Sequence, residues 1–179
     1  MTIRLTFAIF SMFNSALSCT RSALDIRERV LGRIHKESAK SRLNLAAVML
    51  RLSDYDGAMY VWSESVKIFS ELGESSMDVA KAYNNMATIE EQRGRDREAL
   101  NLHKKALEIK LKVAPKSLAV ADSLYNMSIL YEKTDMYAEA VDACQRSLVL
   151  AVESGGKEHP SAVEARDFLR ELKGLSLGS

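Results

Sequence analysis

A period of 41 residues constrains this chain more than any other feature of it. Leu43-Asn44-Leu45-Ala46-Ala47-Val48 returns as Asn84-Asn85-Met86-Ala87-Thr88-Ile89 and again as Tyr125-Asn126-Met127-Ser128-Ile129-Leu130. A second motif follows each at a fixed distance: Gly57-Ala58-Met59, Glu98-Ala99-Leu100 and Glu139-Ala140-Val141. Self-similarity at this spacing means stacked copies of one supersecondary unit, because a unit of that size cannot bury its apolar face alone. The period therefore predicts an array.

Within each unit the apolar positions have helical spacing. Ala58, Val61, Trp62, Ser65 and Val66 follow i, i+3, i+4, i+7, i+8, as do Ala99, Leu102, His103, Ala106 and Leu107, and Ala140, Ala143, Cys144, Ser147 and Leu148. Each unit thus ends in an amphipathic helix, preceded by another. Leu52-Ser53-Asp54, Arg93-Gly94-Arg95 and Thr134-Asp135-Met136 separate the two and are rich in turn formers. Helices joined by so few residues run antiparallel. Only two prolines and eight glycines occur in 179 residues, which suits a chain that is nearly all helix. Three columns stay small through the repeats: Ala46/Ala87/Ser128, Ala58/Ala99/Ala140 and Ser65/Ala106/Ser147. Small side chains let helix axes approach, and a large one there overpacks the contact.

The predicted fold is all-α, a right-handed superhelix (an α-solenoid) of antiparallel helix hairpins. Three full repeats are flanked by an incomplete leading repeat and a C-terminal capping helix. The predicted boundaries within a single domain over 1–179 are a leading segment 1–35, repeats 36–75, 76–116 and 117–156, a capping helix 157–174 and a tail 175–179. In the leading segment Ser15–Leu31 aligns with the second helix of a unit, with Gly32 as its stop, and Met1–Asn14 reads as a degenerate first helix. Near the C-terminus His159-Pro160 opens another first helix, and Arg170 stands where a close-packed hairpin needs a small residue.

These columns resemble the tetratricopeptide repeat, and more closely the longer kinesin light chain type. The resemblance is carried by Ala82-Tyr83-Asn84-Asn85-Met86-Ala87, Arg93-Gly94-Arg95, Glu98-Ala99 and Lys105-Ala106-Leu107-Glu108-Ile109, with Ala23–Gly32 and His159-Pro160 as the family's helix end and linker. It covers about Ser15 to Leu172. Ser53 and Asp135 depart from it where the family favours glycine, and Met49 and Glu90 where Tyr131 keeps its tyrosine. Nothing resembles the motor-binding coiled coil of a true kinesin light chain.

The resemblance implies a concave ligand groove lined by the first helix of each unit, and an interaction scaffold as the function. Carried onto this chain, the groove takes Lys40, Leu43, Asn44, Ala47, Leu50 and Arg51 from the first unit. The second supplies Lys81, Asn84, Asn85, Thr88, Glu91 and Gln92, and the third Asp122, Tyr125, Asn126, Ile129, Glu132 and Lys133. The partner-binding candidates are Lys40, Asn44, Arg51, Lys81, Asn84, Asn85, Thr88, Tyr125, Asn126 and Lys133. A carboxamide donates and accepts, so Asn44, Asn85 and Asn126 form a ladder able to hold an extended peptide by its backbone, unless they bond to a neighbouring helix instead. Lys40, Arg51 and Lys81 favour an acidic residue in the ligand; Leu43, Leu50 or Tyr125 would seat an apolar anchor. The clamp of chaperone-tail-binding relatives is not matched, since Leu43, Asp122 and Asn126 stand where it needs cations.

Other functions have little footing. A net charge of +1 gives no general attraction to nucleic acid. Cys19 and Cys144 form neither a disulfide framework nor a metal-ligand spacing, which fits a reducing, cytoplasmic setting without metal or cofactor. His35, His103 and His159 are scattered, and His103 shares a core column with Trp62 and Cys144, so no enzyme is expected. No stretch is long enough to span a membrane. The apolar run Leu5–Phe13 followed by Ala16-Leu17-Ser18 outlines an alternative, an exported protein with a signal over residues 1–18, or one that self-associates through its apolar N-terminus.

Overall fold

The computed structural model describes residues 2–176, with side chains described from residue 11 to residue 174. Among the described residues there are eight α-helices and no strand: α1 Thr2–Leu31, α2 Lys36–Arg51, α3 Tyr55–Glu71, α4 Met77–Gln92, α5 Asp96–Val113, α6 Leu118–Lys133, α7 Tyr137–Gly155 and α8 Pro160–Ser176. This is an all-α repeat fold. The last residues of the expected tail, 177–179, lie outside the described residues, as do the side chains of Phe7, Ile9 and Phe10 in the expected apolar N-terminus.

Helix starts and stops repeat with the sequence. His35 Nδ1 accepts the Glu37 N–H at 3.1 Å, Ser76 Oγ that of Val79 at 3.3 Å and His159 Nδ1 that of Ser161 at 3.3 Å, so a polar side chain caps α2, α4 and α8. At the hairpin turns the N–H groups of Asp54, Arg95 and Met136 reach back to the carbonyls of Met49, Glu90 and Tyr131 at 3.0, 2.9 and 2.8 Å. Those of Ser53, Gly94 and Asp135 bond Leu50, Glu91 and Glu132. This pair of bonds is the Schellman motif, which requires a left-handed residue. Ser53, Gly94 and Asp135 supply it, with φ of 61°, 72° and 59°.

The departures from glycine at positions 53 and 135 are therefore L-residues held in a conformation that favours glycine. Ser53→Gly and Asp135→Gly are each expected to stabilise the protein by about 0.5–1 kcal/mol, the left-handed strain less the extra chain entropy of glycine. A Cβ on Gly94 meets nothing within 4 Å. Gly94→Ala is thus expected to cost about 1 kcal/mol through its backbone alone. Urea midpoints check both signs, and unchanged midpoints in all three variants would exclude the strain.

The chain packs as two compact units, Met1–Ala82 and Tyr83–Ser179, divided within α4. In the first, α1 packs on α2 and α2 on α3. Trp62 and Phe69 of α3 are each 1% exposed, and Ser65 Oγ donates to the Ala39 carbonyl of α2 at 2.8 Å. Polar links fasten α1: Arg27 donates to Ser41 Oγ, Ser38 Oγ to the Gly32 carbonyl, and Arg42 pairs with Glu28 while donating to the Arg33 carbonyl at 3.1 Å. The sequence reading expected α1 to begin near Ser15 after a separate first helix; α1 instead runs unbroken from Thr2. No glycine or proline occurs before Gly32, and the hydroxyls of Ser15 and Thr20 fold back onto the carbonyls of Ser11 and Ala16, so nothing makes a turn.

In the second unit α6 packs on α5 and α7, and α8 on α7. Its core gathers Leu100, Leu107, Leu124, Met127, Leu130 and Cys144 with Leu169 and Leu172 of α8. Ser147 Oγ donates to the Ala121 carbonyl at 2.8 Å, the same bond across the hairpin that Ser65 makes in the first unit. All nine residues of the three small columns are fully buried. With no free space around them, a larger side chain at these positions would overpack the contact. No described helix is long and apolar enough to cross a membrane.

Candidate partner-binding surface

The first helices carry their polar residues in rows set by the helical period. On α2 Lys40, Asn44, Ala47 and Arg51 share a face at i, i+4, i+7, i+11. Lys81, Asn85, Thr88 and Gln92 hold the same register on α4, and Asp122, Asn126, Ile129 and Lys133 on α6. Asn44, Ala47, Arg51, Lys81, Thr88, Gln92 and all four α6 residues are exposed, while Lys40 and Asn85 are half-buried. Among the described residues, no protein group holds the carboxamides of Asn85 or Asn126.

The position before each asparagine lies about 100° further round the helix and packs inward. Leu43 is 6% exposed, which corrects its expected role as an apolar anchor. Tyr125 is half-buried and meets Phe168 of α8 edge-on, centroids 5.9 Å apart, and burial raises its hydroxyl pKa. Asn84 faces the buried ring of His103, its Oδ1 3.3 Å from Nδ1, while Glu91 Oε1 lies 2.9 Å from Nε2. Glu91 as a carboxylate can only accept, so the proton sits on Nε2. Nδ1 donates to Asn84 Oδ1 when the ring carries both protons, and accepts from the Asn84 amide nitrogen when it does not. Both ring nitrogens are occupied by this contact, and Asn84 serves the core.

The row charges are partly spent within the protein. Lys40 binds Glu37 at 3.1 Å and Lys81 lies 3.5 Å from Asp78, each within its own helix, whereas Lys133 crosses to Asp96 at 2.7 Å. Such exposed pairs hold loosely and exchange readily with a ligand's charge. Beneath Asp122 a lysine is buried: Lys110, 6% exposed, donates to Ser123 Oγ. Burial lowers its pKa, and the Asp122 carboxylate partly restores it.

Sequence reasoning looked only to the first helices and missed a cavity of about 340 Å³ in the second unit. Leu107, Leu124, Met127 and Tyr131 line it, with Glu139 and Asp142 of α7 among its polar residues. Asp142 and Arg146, both at this cavity, pair at 3.3 Å. Among the described residues no group of three or more His, Cys, Asp or Glu is placed to hold a metal ion.

The family model of the tetratricopeptide repeat matches residues 39–112. No curated protein sequence is significantly similar to the chain. Among solved structures it is similar to a putative kinesin light chain from Podosopora anserina with nearly identical TPR-like repeats, at 17% identity and a TM-score of 0.74, covering 92% of this chain and 79% of that one. It is similar also to BtubC (BKLC) from P. vanneervenii, at 16% identity and 0.71, covering 93% and 65%. The apo form of RapI matches at 20% identity and 0.74, covering 93% and 58%. At these identities the likeness is one of fold, and the fold is generally that of a protein-interaction scaffold. The chain therefore carries the tetratricopeptide repeat, matched in sequence over residues 39–112, and has the all-α repeat fold of kinesin light chain-like repeat proteins.

Proposed function

We propose that this chain is a non-catalytic interaction scaffold whose first helices hold an extended segment of a partner protein against their exposed rows. The observation that carries this reading is the asparagine that recurs at one register of α2, α4 and α6, exposed at Asn44 and Asn126 and half-buried at Asn85. A row with a carboxamide suits peptide backbone, which offers a donor and an acceptor at each residue. Ile129, 39% exposed beside Asn126, takes over from Leu43 as the apolar contact. Lys40, Arg51 and Lys81 favour an acidic side chain in the partner.

Crosslinking mass spectrometry in cell extract, comparing the intact chain with an Asn85→Ala, Asn126→Ala double variant, tests it. Crosslinked partner segments should map to the rows and fall at least about tenfold in yield in the variant, the loss of one or two hydrogen bonds per site. An unchanged partner set sinks the reading. Binding of a recovered segment should weaken with added salt, and indifference to salt would remove the acidic residue from the proposal.

A further inference from the structure

The helix α1 is about 45 Å long at 1.5 Å per residue, and α2, on which it packs, only about 24 Å. One side of α1 meets α2: Ala16, Leu17, Thr20, Ala23 and Leu24 are half-buried, and Arg27 reaches Ser41. About a quarter-turn round the helix a second apolar stripe faces solvent. Met12 is 71% exposed, Ile26 61% and Val30 75%, with exposed Cys19 on the same line. Tyr60 of α3, at 64%, is comparably exposed, but on α1 the exposed apolar residues follow one line of the helix.

The spacing of the stripe says what covers it. Met12, Cys19 and Ile26 are seven residues apart, the interval that returns a residue to one face of a packed helix. Met12 stands as far before Cys19 as Ile26 stands after it. A two-fold axis at Cys19 therefore sets two copies of α1 antiparallel, with Met12 of each against Ile26 of the other, the self-complementarity an isologous contact requires. Beside the stripe are Ser15 and Ser22, small enough for close approach. Ser15 Oγ already donates to the Ser11 carbonyl at 3.0 Å, so covering it strands no donor. Arg21 and Asp25 fall on the opposite side and stay in water in such a pair.

We propose that the occupant is a second copy of this chain, docked α1 to α1 in antiparallel register with Cys19 facing Cys19 across the axis. The proposal goes beyond the scaffold reading and does not depend on the rows of the first helices. A two-helix contact of this length sits at the small end of specific interfaces, below about 1,200 Å² in total, so the dimer is a weak one. It is also one that oxidation can lock. Diamide takes two electrons and two protons from a pair of Cys19 thiols, leaving a disulfide and the reduced hydrazine. Cys144 does not compete, being fully buried with its Sγ 3.2 Å from the Ala165 carbonyl.

Sedimentation velocity on the full chain across a concentration series tests the pairing. Wild type is expected to pass from monomer to dimer, and Ile26→Glu to weaken this at least about tenfold by setting a carboxylate in the seam. Val149→Glu, an equally exposed site on α7, should leave it unchanged. Diamide should yield a linked dimer in wild type and none in Cys19→Ser. The register is read in the Cys19→Ser background: M12C and I26C chains mixed together should link to each other much faster than either links to itself. A monomer throughout the series, a dimer indifferent to Ile26→Glu, or self-linking of M12C as fast as mixed linking would overturn the proposal. All the substituted side chains are exposed, and circular dichroism verifies that the variants remain folded.

Discussion

Trp62→Ala is expected to cost the first unit about 3–5 kcal/mol, the transfer energy of a large aromatic ring plus the cavity it leaves. Trp62 is 1% exposed and is the largest fully buried side chain in α3. Its ring stands in the column that holds His103 and Cys144 in the later repeats, so α3 depends on one side chain for volume that smaller residues fill elsewhere. A loss of this size is a large part of the stability of any domain of this size. Trp62→Phe, which keeps most of the volume, should lose less than half as much. Trp62 is also the only tryptophan, so wild-type fluorescence during urea unfolding reports the first unit by itself, while circular dichroism follows the whole chain. A cost below about 1 kcal/mol for Trp62→Ala would show that the ring is not packed as described.

Arg42→Ala is expected to destabilise the docking of α1 on α2 by about 3 kcal/mol, at the low end for breaking a buried ion pair because Glu28 keeps some contact with solvent. The Arg42 side chain is 7% exposed and Glu28 29%, and the guanidinium also satisfies the Arg33 carbonyl. Removal strands a carboxylate and a carbonyl together. If the stranded charge is the cause, Glu28→Gln added to Arg42→Ala should recover at least about 1 kcal/mol, and Arg42→Met should fare better than Arg42→Ala by keeping the stem against α2. Hydrogen exchange in α1 gives the local readout. Protection of Ala16–Leu24 that is unchanged in Arg42→Ala would mean that apolar contacts alone hold the helix.

Most of the helical plan was legible because both of its signals are local. The 3.6-residue spacing of Ala99, His103 and Ala106 names a buried face whatever lies opposite, and the small columns mark close approach because no other residue size fits there. The left-handed turns were half legible. Arg93-Gly94-Arg95 announces one through its glycine, whereas Ser53 and Asp135 read only as departures, and the Schellman bonds reveal them as the same turn under strain. α1 was misread for a different reason: alignment to the repeat imposed a break near Asn14, although no local breaker supports one.

The candidate site divides in the same way. Sequence alone determined that Asn44, Asn85 and Asn126 recur at one register and that polar residues follow them at helical spacing, since periodicity is a property of the chain. Which neighbour turns outward was decided by tertiary structure. Leu43, Asn84 and Tyr125 sit one residue before the asparagines and share the period, yet they pack inward, Asn84 against His103 and Tyr125 against Phe168. Register locates a residue on its helix to within one step. A step of about 100° carries a side chain from solvent to the adjoining helix, and only the packed partner shows on which side of that line it falls.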